Sequence, residues 1–164
     1  MKKASHYLKL VQHKEVIIIP ACKGGQKANF AYAEDVFTQH IDPDINSYKI
    51  NLAQPATSAT EVEIYEMFGE DTDFHTLFHS LSSDLRDICF KSQEQIIKFA
   101  QTHKMKLYEF GNLFLFSERE KFYVANIDTA SGGLWLNVYL LTQRRGRLLA
   151  DIGYRVIVPK YKQY

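Results

Sequence analysis

The apolar positions of this chain change period about two thirds of the way along it, and that change predicts its architecture. Between Asp73 and Lys104, Phe74, Leu77, Phe78, Leu81, Leu85 and Ile88 recur at steps of three and four, and Ile96, Phe99 and Ala100 continue the stripe. A stripe at this spacing runs along one side of an α-helix. The pattern predicts a long amphipathic helix over 73–104, with the polar run Lys91–Gln95 as the place where it can divide. Asp71 and Asp73 stand at its start and Lys98, His103 and Lys104 at its end. These are the charges that the two poles of a helix dipole favour.

Beyond Lys104 the period falls to two. Leu107–Phe110, Leu113–Phe116, Lys121–Ile127, Leu134–Leu141 and Ile152–Val158 read as strands of a C-terminal antiparallel β-meander, separated by Ser117–Glu120 and the turn Ser131-Gly132-Gly133. Leu134, Leu136, Val138 and Leu140 make one strand face wholly aliphatic, and that face is expected to rest on the long helix. The opposite face carries Trp135, Asn137 and Tyr139, and is expected either to meet a partner or to lie under the N-terminal segment. Helices gathered on one face of an antiparallel sheet make an α+β fold.

The first seventy residues are less regular. Tyr7, Leu8, Leu10 and Val11 could line a short helix. The β-branched run Val16–Ile19 predicts a strand buried on both faces and stopped by Pro20. Residues 29–40 read as a helix with Asn29 as N-cap. Asp42-Pro43-Asp44 is a turn. Tyr48–Leu52 and Val62–Met67 are strand candidates on either side of the polar loop Gln54–Thr60. No linker, low-complexity tract or internal repeat divides the chain, so residues 1–164 read as a single domain.

Composition narrows the classes. The chain has 164 residues, of which 46% are hydrophobic and 24% charged. That balance excludes general disorder, because the apolar surface is enough to offset ordering entropy. Eight glycines and four prolines exclude collagen. Lys and Arg total 20 against 19 Asp and Glu, a net charge of +1. Binding to nucleic acid or membrane must therefore come from a local patch rather than a global field. Two cysteines, Cys22 and Cys89, are too few for a disulfide framework and suggest free thiols in a reducing cytoplasm. No apolar window reaches the length of a membrane span, and Val16–Pro20 is too short for a signal peptide.

Four segments could carry chemistry. Lys23-Gly24-Gly25-Gln26-Lys27 joins a strand to a helix, so its amides and Lys23 and Lys27 could meet an anion, although it has neither the Walker A nor the dinucleotide pattern. His75 and His79 stand four apart, the spacing of two metal ligands on one helix face, but the HExxH base is missing and no further ligands have diagnostic spacing. Arg144, Arg145 and Arg147 form a basic tip after the strand bearing Trp135 and Tyr139, and Arg155 and the C-terminal Lys160, Tyr161 and Lys162 follow. Arg forks suit phosphate and carboxylate, and aromatic faces suit stacking. Asp128–Leu134 resembles, over seven residues, the D-x-S-x-G-G turn of the PilZ cyclic-dinucleotide receptors. Ala130 replaces the serine and the paired upstream arginines are absent, so the segment reads as an ordinary turn.

Serine or cysteine nucleophile motifs are absent, and no cofactor is expected. Tyrosines gather towards the C-terminus, at Tyr123, Tyr139, Tyr154, Tyr161 and Tyr164. The leading expectation is a non-catalytic intracellular binding protein that holds a protein partner through Trp135, Tyr139, Arg144, Arg145, Arg147, Arg155 and Tyr161. The first alternative is nucleic-acid binding through the arginines and C-terminal lysines. The second is a small enzyme acting on a phosphorylated substrate at Lys23–Lys27 or using a metal at His75 and His79. Self-association is compatible with each, and a membrane partner is not expected.

Overall fold

The computed structural model describes residues 5–69, 71–129, 132–142 and 149–161. The chain runs β1 (Leu8–Leu10), β2 (Ile17–Ile19), a 3-10 turn (Phe30–Tyr32), β3 (His40–Ile41), α1 (Asp44–Tyr48), β4 (Thr60–Met67), β5 (Thr72–Asp73), α2 (Phe74–His79), a 3-10 turn (Leu85–Asp87) and α3 (Gln93–Thr102). A 3-10 turn (Lys104–Lys106), β6 (Asn112–Glu118), β7 (Lys121–Asp128), β8 (Trp135–Leu140), β9 (Leu149–Ala150) and β10 (Arg155–Pro159) follow. Eight strands join in one sheet of order β1-β4-β10-β6-β7-β8-β3, with β2 also on β4. β10–β6 and β3–β8 are parallel and the other pairs antiparallel. β5 and β9 form a separate ribbon. The fold is α+β with a mixed sheet.

Both faces of the sheet are covered. Along β6, Phe114 and Phe116 enter one core with Phe30, Phe37, Ile45 and the α3 residues Ile96 and Phe99. Leu113 and Leu115 enter a second core with Phe74, Leu77, Phe78, Leu81 and Ile88. All four β6 side chains are fully buried. A strand with a layer on each side needs apolar residues at every position, which explains the unbroken Leu-Phe-Leu-Phe run.

The long helix over 73–104 is corrected to three pieces. Polar side chains capture backbone groups at each break. Ser82 Oγ accepts from Asp84 N at 3.2 Å and Asp84 Oδ1 from Arg86 N at 3.0 Å. Ser92 and Gln95 then form a reciprocal capping box that starts α3. The two halves of the stripe also serve opposite layers: Phe74 to Cys89 belong to one core and Ile96 to Ala100 to the other. The crossing comes at Phe90, whose amide donates to Leu115 O. One straight rod cannot lie on both faces of a sheet.

The expected meander is likewise replaced. β6, β7 and β8 are sequential antiparallel neighbours, but β10 inserts between β4 and β6 and runs parallel to β6. Residues 107–110 are loop: Asn112 Oδ1 accepts from Tyr108 N and its Nδ2 donates to Tyr108 O. The aliphatic face of β8 lies in the core shared by the 30–50 segment and α3. Asp42 holds it there, with Oδ2 accepting from Val138 N at 3.1 Å.

Four expectations for the first seventy residues also change. The segment read as a short helix at Tyr7–Val11 contains β1. β2 is an edge strand, with Ile18 48% exposed. The helix over 29–40 reduces to a 3-10 turn, still capped by Asn29 Oδ1 on Ala31 N. Tyr48–Leu52 forms no strand, because α1 ends there on a left-handed Lys49. Among the described residues no helix is long and apolar enough to cross a membrane. Cys22 and Cys89 are buried and unpaired.

Candidate functional site

The strand pairings bring the end of β4, the starts of β6, β8 and β10 and the end of β7 to one rim of the sheet. Backbone bonds tie the flanking loops together. Met67 N donates to Tyr154 O, Gly153 N to Met67 O, Arg155 N to Gly111 O, and Thr129 N to Glu109 O. Gly111 N donates to Asp128 Oδ1 at 2.7 Å. Gly111 has φ +69, and a Cβ there would stand 2.3 Å from the Tyr154 ring. Glycine is required because both the left-handed backbone and the ring seated on it exclude a side chain.

This rim carries Phe68, Tyr108, Phe110, Trp135 and Ile152, five of the ten exposed large hydrophobic residues among those described. Trp135 is 36% exposed and its ring lies 5.4 Å from that of His40, its partner across β3. Acids share the rim. Tyr154 is held above the ordinary phenol range by burial and then by Asp151, Asp128 and Asp71. Tyr139 is raised by burial, then by Asp42 and Asp128. Acids therefore stand beside the aromatic rings of this rim, while Arg155, at the start of β10, is bonded to Lys106 O on the other face of the sheet.

The expected binding residues separate in three dimensions. Trp135 and Tyr139 share a face of β8, but Tyr139 is half-buried with its ring 5.8 Å edge-on to Phe74 of α2. That face is therefore partly covered, by α2 rather than by the N-terminal segment. Arg155 lies three strands away and alternates with Val156, so it points towards the core of α3 rather than that of α2. Its guanidinium donates to Lys106 O, and its Nε is buried without a partner. Tyr161 follows the far end of β10, where its hydroxyl donates to Cys89 O and Lys91 Nζ sits 5.1 Å above its ring. Arg144, Arg145, Arg147, Lys162 and Tyr164 lie outside the described residues, as do Ala130 and Ser131 of the PilZ-like turn.

The Lys23–Lys27 loop meets an anion of the chain itself. Gly24 N donates to Glu94 Oε2 at 2.8 Å, and Gly25 N to Gln54 O at 2.9 Å. His75 and His79 sit on successive turns of α2 with ring centroids 4.4 Å apart. No group of three His, Cys, Asp or Glu residues that could hold a metal occurs among the described residues.

Sequence reasoning found Trp135 but missed Phe68, Tyr108, Phe110 and Ile152, which lie in segments assigned to strands or left without comment. The available signal was local: Gly111-Asn112 and Gly153 mark loops beside aromatic and aliphatic residues. Comparison with protein families, curated proteins and solved structures returns no match to this chain.

Proposed function

We propose that this chain is a non-catalytic intracellular binding domain that holds a protein partner at the aromatic rim of its sheet. The observation that carries the reading is the gathering, at one end of the sheet, of Phe68, Tyr108, Phe110 and Ile152 on cross-tied loops with Trp135 at the start of β8. Aromatic residues are enriched in protein interfaces because they bury much area for little entropy. Asn112, fully buried and bonded to Tyr108 N, Tyr108 O and Ile127 O, holds one of these loops in place. A loop already ordered costs less to dock.

The acids at the rim, Asp71, Asp128 and Asp151, favour a partner segment that is apolar with basic flanks. They disfavour nucleic acid at this surface, because its phosphates would meet like charge. Site-specific photocrosslinking tests the proposal. A photoreactive residue at Phe110 or Ile152, expressed in the native host, is expected to capture one dominant protein. The same group at Tyr32, exposed elsewhere, should not capture it. Equal capture from all three positions would overturn the assignment.

A further inference from the structure

At the opposite end of the sheet, the loop after α1 and the β6–β7 hairpin enclose a cleft of about 260 Å3 lined in part by Tyr48, Lys49, Glu118, Arg119, Lys121 and Tyr123. Three non-glycine residues among those described have positive φ: Lys49 at 57°, Arg119 at 50° and Glu120 at 65°. Two of the three line this cleft. A two-residue hairpin turn with both central residues left-handed normally carries Asn-Gly or Asp-Gly. Here Arg119-Glu120 occupies it, so a disfavoured backbone is kept together with a guanidinium at the mouth of the cleft. Strain of this kind concentrates at ligand sites.

Three cations, Lys49, Arg119 and Lys121, and one carboxylate, Glu118, line the cleft, while Glu120 sits in the turn beside Arg119 and Asp44 lies near Tyr48. Lys49, Arg119 and Lys121 form no ion pair among the described residues. The one lining carboxylate, Glu118, already accepts from Gln54 Nε2 at 2.8 Å and Gln93 Nε2 at 3.0 Å. Two phenols border the space, with the Tyr48 and Tyr123 rings 5.4 Å apart. Burial, then Glu118, raises the Tyr123 phenol above its ordinary range. We infer that this cleft binds a small polyanion carrying phosphate or carboxylate groups, with Arg119 and Lys121 as principal contacts and Lys49 on the facing wall. An Arg fork suits planar or tetrahedral oxyanions, and the volume fits a molecule the size of pyrophosphate or citrate. The site is separate from the aromatic rim and does not depend on the proposed partner.

Titration calorimetry at low salt with pyrophosphate, and separately with citrate, tests the inference. Wild-type protein should bind at least one of the two saturably at one site, and the stronger of them identifies the oxyanion class. Arg119→Ala/Lys121→Ala should weaken that binding at least tenfold with an unchanged melting temperature, since both side chains are exposed. Lys9→Ala/Lys14→Ala removes the same charge from another exposed surface and should change the affinity less than twofold. The inference fails if wild type binds neither probe saturably at up to 10 mM, or if the two double variants weaken binding equally.

Discussion

Gln93, the first residue of α3, donates from Nε2 to Oε1 of Glu118, the last residue of β6, at 3.0 Å. The same amide donates to Ile50 O at 2.8 Å, its Oε1 accepts from Phe30 N at 2.9 Å, and its backbone N donates to Gln54 Oε1 at 2.8 Å. One buried side chain thus joins the helix, the 30–50 segment and the sheet.

Replacing Gln93 with Ala leaves the Phe30 N–H without a partner and removes one of two bonds to the Ile50 carbonyl, which keeps the one from Leu52 N. The expected loss is about 1–3 kcal/mol, because an unpaired buried polar group costs its full desolvation. Urea denaturation measures it, and a loss below about 1 kcal/mol would show that solvent replaces these bonds. Gln93→Glu should be worse near neutral pH, where it sets a second carboxylate against Glu118, and should recover as the pH falls below about 5.

The Arg119-Glu120 turn gives a gain rather than a loss. Arg119→Asn/Glu120→Gly supplies residues that accept left-handed backbone, and should raise stability by about 1 kcal/mol. The same variant should lose polyanion affinity. A drop in stability would mean that the turn is held by contacts of the two native side chains.

Asp73 caps α2, with Oδ1 accepting from Thr76 N at 2.7 Å. That backbone bond holds its carboxyl below the usual carboxylate range, aided by the Thr76 hydroxyl. A depressed folded value stabilises the fold above the unfolded pKa of about 3.9, and the benefit is lost as the pH falls through the folded value. Asp73→Ala should therefore cost about 1 kcal/mol at pH 7. The difference between variant and wild type should shrink in acid, as measured by thermal melts from pH 7 down to 2.5.

His13 reports the opposite charge type. Burial, then Lys106 and Arg155, lowers its imidazole pKa, and its Nε2 is buried without a partner. The folded state prefers the neutral ring, while the unfolded chain takes up a proton near pH 6.5. Its contribution is complete above about 6.5 and declines as the pH falls towards the lowered value. His13→Gln should flatten the stability profile between pH 7.5 and 5.5, and an unchanged profile would place the proton uptake elsewhere.

Elements whose signal is local are legible from the chain. Val62–Met67, Leu113–Phe116, Lys121–Ile127 and Leu134–Leu141 overlap β4, β6, β7 and β8, because strand formers and period-two spacing act within a few residues. The break near Lys91–Gln95 is legible for the same reason, since Ser92 and Gln95 cap one another across a single turn. The candidate site was less legible. Trp135 stood out, whereas Phe68, Phe110 and Ile152 acquire meaning only through loops joined by Met67, Gly111 and Tyr154.

The sequence by itself determined that Val62–Met67, Leu113–Phe116, Lys121–Ile127 and Leu134–Leu141 contain strands, and that a stripe of apolar residues between Asp73 and Lys104 must be covered. Only the tertiary structure decided that this stripe serves two faces of one sheet, that β10 enters between β4 and β6, and that Arg155 lies on the face opposite Trp135. The physical reason is that periodicity records that a side chain leaves water. What it packs against is settled by pairings between residues far apart in the chain, which hydrophobic spacing does not encode.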